Sequence, residues 1–146
     1  MLAVYIDADF WSSLEGLTKT SVPDVLEVKR TGDTALVRLR YVLSVELPSQ
    51  ASRFIDPDDV AWVEETTWQL KERTAAVRFL PEQAAGLMKA SASADLTTEG
   101  ADTLRQVTGD LRVRIPLVGG KVEHAIVDGI GGHLEEEADA VADRLG

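Results

Sequence analysis

The 146-residue chain contains no cysteine, which excludes disulfides, thiolate metal sites and a cysteine nucleophile and fits a reducing compartment. No apolar run approaches the ~20 consecutive residues of a membrane-spanning helix, and the start carries no basic segment of the signal-peptide kind. A soluble, cytoplasmic protein is expected. Positive charge is scarce: 15 Lys and Arg stand against 25 Asp and Glu, a net charge of −10. Such a chain repels phosphate backbones, so nucleic-acid binding would need a local basic patch. Arg38, Arg40, Arg112 and Arg114 are the candidates for one, and all four fall on the polar side of alternating strands. A solvated sheet face opposite Asp and Glu explains them, and no nucleic-acid partner is expected. Internal repeats and linkers are also absent, so residues 1–146 read as a single domain. A chain of that length buries roughly 68–70% of its unfolded surface, enough for a core or a pocket.

Hydrophobic residues make up 45% of the chain, and their spacing gives the element order. Ala8 to Leu17 has helical spacing at Phe10, Trp11, Leu14 and Leu17, with Asp7 or Asp9 placed to cap it. Val25 to Arg30 and Ala35 to Val45 alternate as strands around Thr31-Gly32-Asp33, a hairpin turn with the Gly such turns need. Leu47 to Asp59, with Pro48 and Pro57, reads as a loop or short helical turn that could cover a pocket mouth.

Val60 to Leu70 is rich in Val, Thr and Trp, and Trp62, Glu64, Thr66, Trp68 and Leu70 form its more apolar face as a strand. Val60, Val63, Thr67 and Leu70 also fit a helical period. Ala75 to Leu80 is a short strand ended by Pro81, and Ala84 to Leu96 sets Met88, Ala90, Ala92, Ala94 and Leu96 against Lys89, Ser91, Ser93 and Asp95. Small side chains on an inward strand face leave volume for large neighbours or a ligand, because empty apolar space is costly. After a turn at Thr97 to Gly100, the last long strand runs from Ala101 to Ile115, with Leu111, Val113 and Ile115 opposite Arg112 and Arg114. Beyond Pro116 the period becomes helical: Val118, Val122, Ala125, Ile126, Ile130 and Leu134 form one stripe, whose natural partner is the sheet. The fold class is therefore α+β: a helix, about six mainly antiparallel strands and a long C-terminal helix on one sheet face, the plan of a helix-grip fold.

Chemical motifs are few. Gly119-Gly120-Lys121 lacks the Gly at 115 and the Ser or Thr at 122 that a phosphate-binding loop requires, since Ile115 and Val122 stand there. The Gly pair permits a sharp strand-to-helix turn, and the helix N-terminus behind it could hold an acidic group weakly. His124 with Asp128 and His133 with Glu137 have the spacing of metal ligands on one helical face, but surface salt bridges explain them as well, and no metal or other cofactor is expected. Gly-x-Ser-x-Gly is absent. Glu64 is the acidic group of most interest. If the Trp62 and Trp68 face points inward, it lies in an apolar wall where desolvation raises its pKa; a register one residue off would put Glu65 there instead. In the closing helix, Gly129, Gly131 and Gly132 each cost roughly 0.8–1 kcal/mol against Ala, so the helix is expected to bend or end early, through close packing or as a gate.

The stretch TGDLRVRIPLVGGKVEHAIVDGI resembles the C-terminal signature of the actinobacterial domain of unknown function 2505 family, of the START-like (polyketide cyclase/lipid-transport, SRPBCC) superfamily. YIDADFWSSLEG is similar to that family's first-helix stretch and ELPSQASRFIDPDDVAWVEETTWQL to its middle section. The resemblance implies a curved sheet gripped by the C-terminal helix and a first strand before the first helix. Here Met1 to Ile6 already falls in the helical stretch, so that strand is expected to be missing, through either a truncated start or a remodelled edge, and an exposed sheet edge suggests a homodimer by strand addition. It further implies a cavity for a hydrophobic small molecule or lipid. Taking the inward parity of each strand and the helix stripe, its lining residues are Leu39, Tyr41, Trp62, Glu64, Trp68, Phe79, Met88, Ala90, Ala92, Val113, Val122, Ile126 and Ile130. Two alternatives stand beside a binding protein: a cyclase or hydratase with Glu64 or Tyr41 as acid/base group, and an interaction module with a filled core. No catalytic motif supports the enzyme.

Overall fold

A computed structural model describes residues 2–14, 17, 20–43, 47–56, 60–82 and 86–145. Two short helices, α1 (Leu2–Tyr5) and α2 (Ala8–Ser12), precede a meander of strands β1 (Asp24–Thr31), β2 (Thr34–Leu43), β3 (Val60–Gln69), β4 (Thr74–Pro81), β5 (Met88–Glu99) and β6 (Asp102–Val113). The long helix α3 (Gly119–Leu145) closes the chain. The strands form one six-stranded antiparallel sheet in the order β1-β2-β3-β4-β5-β6. No helix among the described residues is long and apolar enough to cross a membrane.

Each boundary has a local cause. Asp7 caps α2, its carboxylate accepting from the Asp9 N–H at 3.0 Å. The helix stops at Ser12 instead of running to Leu17, and its C-cap Ser13 bonds the Asp9 carbonyl with both its hydroxyl, at 2.7 Å, and its backbone N–H, at 3.1 Å. Residues 15–16 of the expected helix lie outside the described residues, as do Ser44 and Val45 of the expected second strand. Val60–Gln69 is a strand and not a helix, since β2 and β4 pair with it on both sides. β5 runs on through Thr97 and Thr98, and the turn falls at Gly100, whose φ of +62° suits glycine. Residues 84–85 of the expected fifth strand lie outside the described residues, and its observed start is Met88. Leu47 to Asp59 forms a 3₁₀ turn at Ser49–Arg53, while residues 57–59 lie outside the described residues.

One sheet face carries α3 and the core, in which Tyr41, Leu39, Leu43, Ile55, Val37, Val122 and Val141 are almost wholly buried. The other face is ion-paired: Arg38 meets Glu27 and Glu65, Arg40 meets Asp24 and Glu82, and Arg78 meets Glu65. At the edges, β1 is interrupted by a bulge between Val25 and Glu27, whereas β6 pairs with β5 in unbroken register from Asp102 to Val113.

The expected early end of α3 is not there. The helix is continuous through Gly129, Gly131 and Gly132, and Gly129 admits the Leu43 side chain, which an added Cβ would meet at 3.2 Å. The tightest glycine is Gly119, where β6 turns into α3. A Cβ there would stand 2.6 Å from the Val113 carbonyl oxygen, an immovable backbone atom. Gly119→Ala should therefore lower the unfolding free energy by about 3 kcal/mol, at the upper end of overpacking costs. Gly120, with nothing within 4 Å of its added Cβ, should tolerate Ala with no loss or a gain of up to about 1 kcal/mol. Urea midpoints of the two variants check the contrast; equal midpoints would refute it.

Candidate functional site

Inward side chains of the sheet form rows that cross the strands in register. One row is Leu39, Glu64, Phe79, Ala90 and Leu111; the next is Val37, Thr66, Val77, Ala92 and Gly109. A third is Ala35, Trp68, Ala75, Ala94 and Val107. Toward β5 and β6 the rows shrink to Ala90, Ala92, Ala94 and Gly109, while Trp62, Trp68 and Phe79 stand tall beside them. α3 bridges the step, and beneath it lies a cavity of about 250 Å³. Ile130, His133, Leu134 and Glu137 of α3 roof it, with Tyr5 and Trp11 closing one end. Exposed Val127 and Gly131 on α3 and Asp110 on β6 also line it, which puts its mouth between α3 and the β6 edge.

The lining is mostly apolar, with Glu64, Thr66, Ser91, Asp110 and one buried cluster of charged and polar side chains as its polar members. Arg105 of β6 hydrogen-bonds to the Glu137 carboxylate, and His133 Nε2 stands 3.2 Å from the other Glu137 oxygen. His133 Nδ1 is 3.0 Å from the Thr20 hydroxyl. The Arg105 guanidinium also lies over the Tyr5 ring, 4.8 Å from its centre. Burial would push the Glu137 carboxyl up, but His133 and Arg105 outweigh it and hold it below its ordinary value. Arg105 is raised, because Glu137 overcomes the opposing effect of burial.

Glu64 has no such cation of its own among the described residues. Burial first, and the Glu137 charge second, raise its pKa from 4.5 to about 7, against the pull of His133 and Arg105. The Trp62 indole N–H approaches this carboxyl closely enough to favour its ionised form, yet without hydrogen-bond geometry, so Nε1 is buried with no hydrogen-bond partner among the described residues. The Tyr41 hydroxyl is likewise buried and unpartnered. Its ring stacks on Trp62 at 5.9 Å and meets His133 edge-on at 4.9 Å. Burial holds its pKa well above the ordinary value.

Eight of the thirteen residues taken from sequence line the cavity: Leu39, Trp62, Glu64, Trp68, Phe79, Ala90, Ala92 and Ile130. Tyr41, Met88, Val113, Val122 and Ile126 do not; they are core side chains packed beyond its ends. Glu64 and not Glu65 faces inward, since Glu65 pairs with Arg38 and Arg78 outside. No described residue of Leu47 to Asp59 covers the mouth; Ala51 and Ile55 belong to the core instead.

The reading of His133 and Glu137 as a surface pair is overturned, for both are about 3% exposed. The apolar stripe had pointed to Leu134, but the buried face steps from Ile126 through Ile130, His133 and Glu137 to Val141, the same helical period carried on through polar residues. Arg105 shows a parallel signal: it shares the inward parity of Val107, Gly109, Leu111 and Val113. Tyr5 gave no signal and Trp11 showed only as part of a helical apolar face, because the docking of α1 and α2 is not a periodic property. No three His, Cys, Asp or Glu side chains among the described residues are grouped to hold a metal. At the N-terminus of α3 the Gly119 amide is already bonded to the Ile115 carbonyl.

No curated protein matches the chain. The family described as "Protein of unknown function (DUF2505)" matches residues 1–145. A match over nearly every residue, from α1 through α3, places this chain in the DUF2505 family.

Proposed function

We propose that this protein is a START-like, helix-grip carrier that holds one small hydrophobic molecule between its sheet and α3. The observation that supports the reading is the cavity itself: about 250 Å³ left open where the sheet offers Ala90, Ala92, Ala94 and Gly109 instead of large side chains. An apolar void of about 150 Å³ accepts benzene, so this space suits one or two rings or a single short chain rather than a two-chain lipid. The charge of −10 and the ion-paired outer face suit a protein that stays in solution and offers its interior, not its surface.

Native mass spectrometry of the purified protein, with extraction of any retained molecule, tests this directly. Wild-type protein should also take up a hydrophobic naphthalene-type fluorescent probe, and Ala92→Phe, which fills the middle of the cavity floor, should reduce uptake at least tenfold. A clean apo mass with no probe uptake would favour the filled, interaction-module alternative.

An enzymatic reading has one observation in its favour, the Glu64 carboxyl held at about 7 inside the cavity, where it can both give and take a proton near neutrality. Tyr41, the other acid/base candidate, does not line the cavity. Once a substrate is known, Glu64→Gln would abolish turnover while keeping binding if this reading holds.

A further inference from the structure

If the cavity holds a hydrophobic molecule, its polar end shows what that molecule must carry. A buried donor on its wall, the Trp62 indole N–H, stands without a hydrogen-bond partner among the described residues. A buried N–H or O–H with no partner costs about 1–3 kcal/mol, so such groups point to an acceptor that completes them. Trp62 lines the cavity, and the carboxyl beside its N–H is Glu64, which lines it too. Resting on the carrier reading, we propose that the occupant carries one neutral oxygen, a carbonyl or a hydroxyl, seated between the Trp62 indole N–H and the Glu64 carboxyl.

Charge decides against an ionic end group. Among the described residues that line the cavity, Arg105 is the one Lys or Arg, and Glu137 already neutralises it. Glu64, Glu137 and Asp110 would repel a carboxylate. An ammonium would find Glu64 but would leave the Trp62 N–H unmet. A neutral oxygen accepts from Trp62 in either case. Protonated Glu64 donates to a carbonyl, and ionised Glu64 accepts from a hydroxyl, so the two oxygen types differ in pH dependence. The charged and titratable groups around Glu64 are Tyr41 from β2, Arg105 from β6, and His133 and Glu137 from α3.

Five naphthalene probes of similar shape separate these cases: 2-ethylnaphthalene, 2-acetylnaphthalene, 2-naphthol, 2-naphthoate and 2-(aminomethyl)naphthalene, titrated calorimetrically at pH 6 and pH 8. The ketone should bind about tenfold more tightly than the hydrocarbon and than either ion, the gain of one buried hydrogen bond. Its advantage should fall at pH 8, whereas 2-naphthol should keep its own. In Trp62→Phe at pH 8, where ionised Glu64 donates no proton, the ketone-to-hydrocarbon ratio should drop to about one. Glu64→Gln retains a donor, so its ketone preference should persist at pH 8, and this variant keeps the test open if Trp62→Phe does not fold. Equal binding of ketone and hydrocarbon would overturn the proposal and leave the carrier reading standing, with water at the polar end. Preference for either ion would also overturn the proposal alone. Failure of all the probes to bind would end both.

Discussion

Replacing Glu64 by Gln should raise the unfolding free energy at pH 8 by up to about 3 kcal/mol, while at pH 4 the variant and the wild type should be equally stable. The folded-state pKa of Glu64 is about 7 and its ordinary value 4.5. Between those two the folded protein binds a proton that the unfolded chain does not, so stability falls as pH rises through this window and levels off above about 7. At 1.36 kcal/mol per decade of pH, that loss is about 3 kcal/mol. The amide of the Glu64→Gln variant cannot ionise and escapes it. Glu137 acts with the opposite sign: its lowered pKa supplies stability above 4.5 that is lost as pH falls through the folded value. That contribution is shared by both proteins and largely cancels in their difference. Urea denaturation at pH 4, 6 and 8 reads the result directly. A Glu64→Gln variant less stable than wild type at pH 8 would mean that the ionised carboxyl is well solvated by the cavity.

The same numbers bear on function. A measured cost of that size at neutral pH, where Gln would cost far less, would not be explained by packing. Stability is commonly given up where a site needs a group in an uncomfortable place. Glu64 meets that description: it sits in a wall between Leu39 and Phe79 and opposite α3, facing the only acid–base pair that the helix buries among the described residues.

Strand order and parity were legible because they are periodic. The alternation in Val60 to Leu70 grouped Trp62, Glu64 and Trp68 on one face and left open whether Glu64 or Glu65 points inward, and the Ala-rich parity of Met88 to Leu96 marked the part of the sheet left for large neighbours or a ligand. Helix ends were less legible, since Ser13 and Gly129 act through particular contacts, Ser13 to the Asp9 and Phe10 carbonyls and Gly129 to the Leu43 side chain. How far α3 extends past Gly132 was obscured by propensity, which tertiary packing overrode. The polar half of the site was missed because His133, Glu137 and Arg105 occupy inward positions with outward-type side chains. Each is satisfied by a partner distant in sequence, and no local pattern reports that. Tyr41 was placed correctly as inward but not as outside the cavity, a distinction set by where Trp62 and α3 come to rest.

Arg105 and Glu137 should prove to be the most costly pair to break. Their side chains are 12% and 4% exposed, so Arg105→Met leaves a buried carboxylate with His133 as its remaining partner, and the expected loss is about 3–5 kcal/mol at pH 7. The loss should shrink as the pH falls, because without Arg105 burial pushes the Glu137 carboxyl upward and protonation relieves it. The double variant Arg105→Met with Glu137→Met should recover most of the stability, since replacing both ions by apolar side chains removes the uncompensated charge. A double-mutant cycle therefore gives a large coupling between the two positions. The cycle also reaches Glu64. Glu137 is the strongest charge raising its pKa, and Arg105 and His133 oppose it, so loss of Arg105 alone should move Glu64 above 7 and loss of both should bring it back down. Carboxyl titration followed by NMR in the three variants separates this from a pair that serves packing alone, in which case the Glu64 midpoint would not move while the stability still fell.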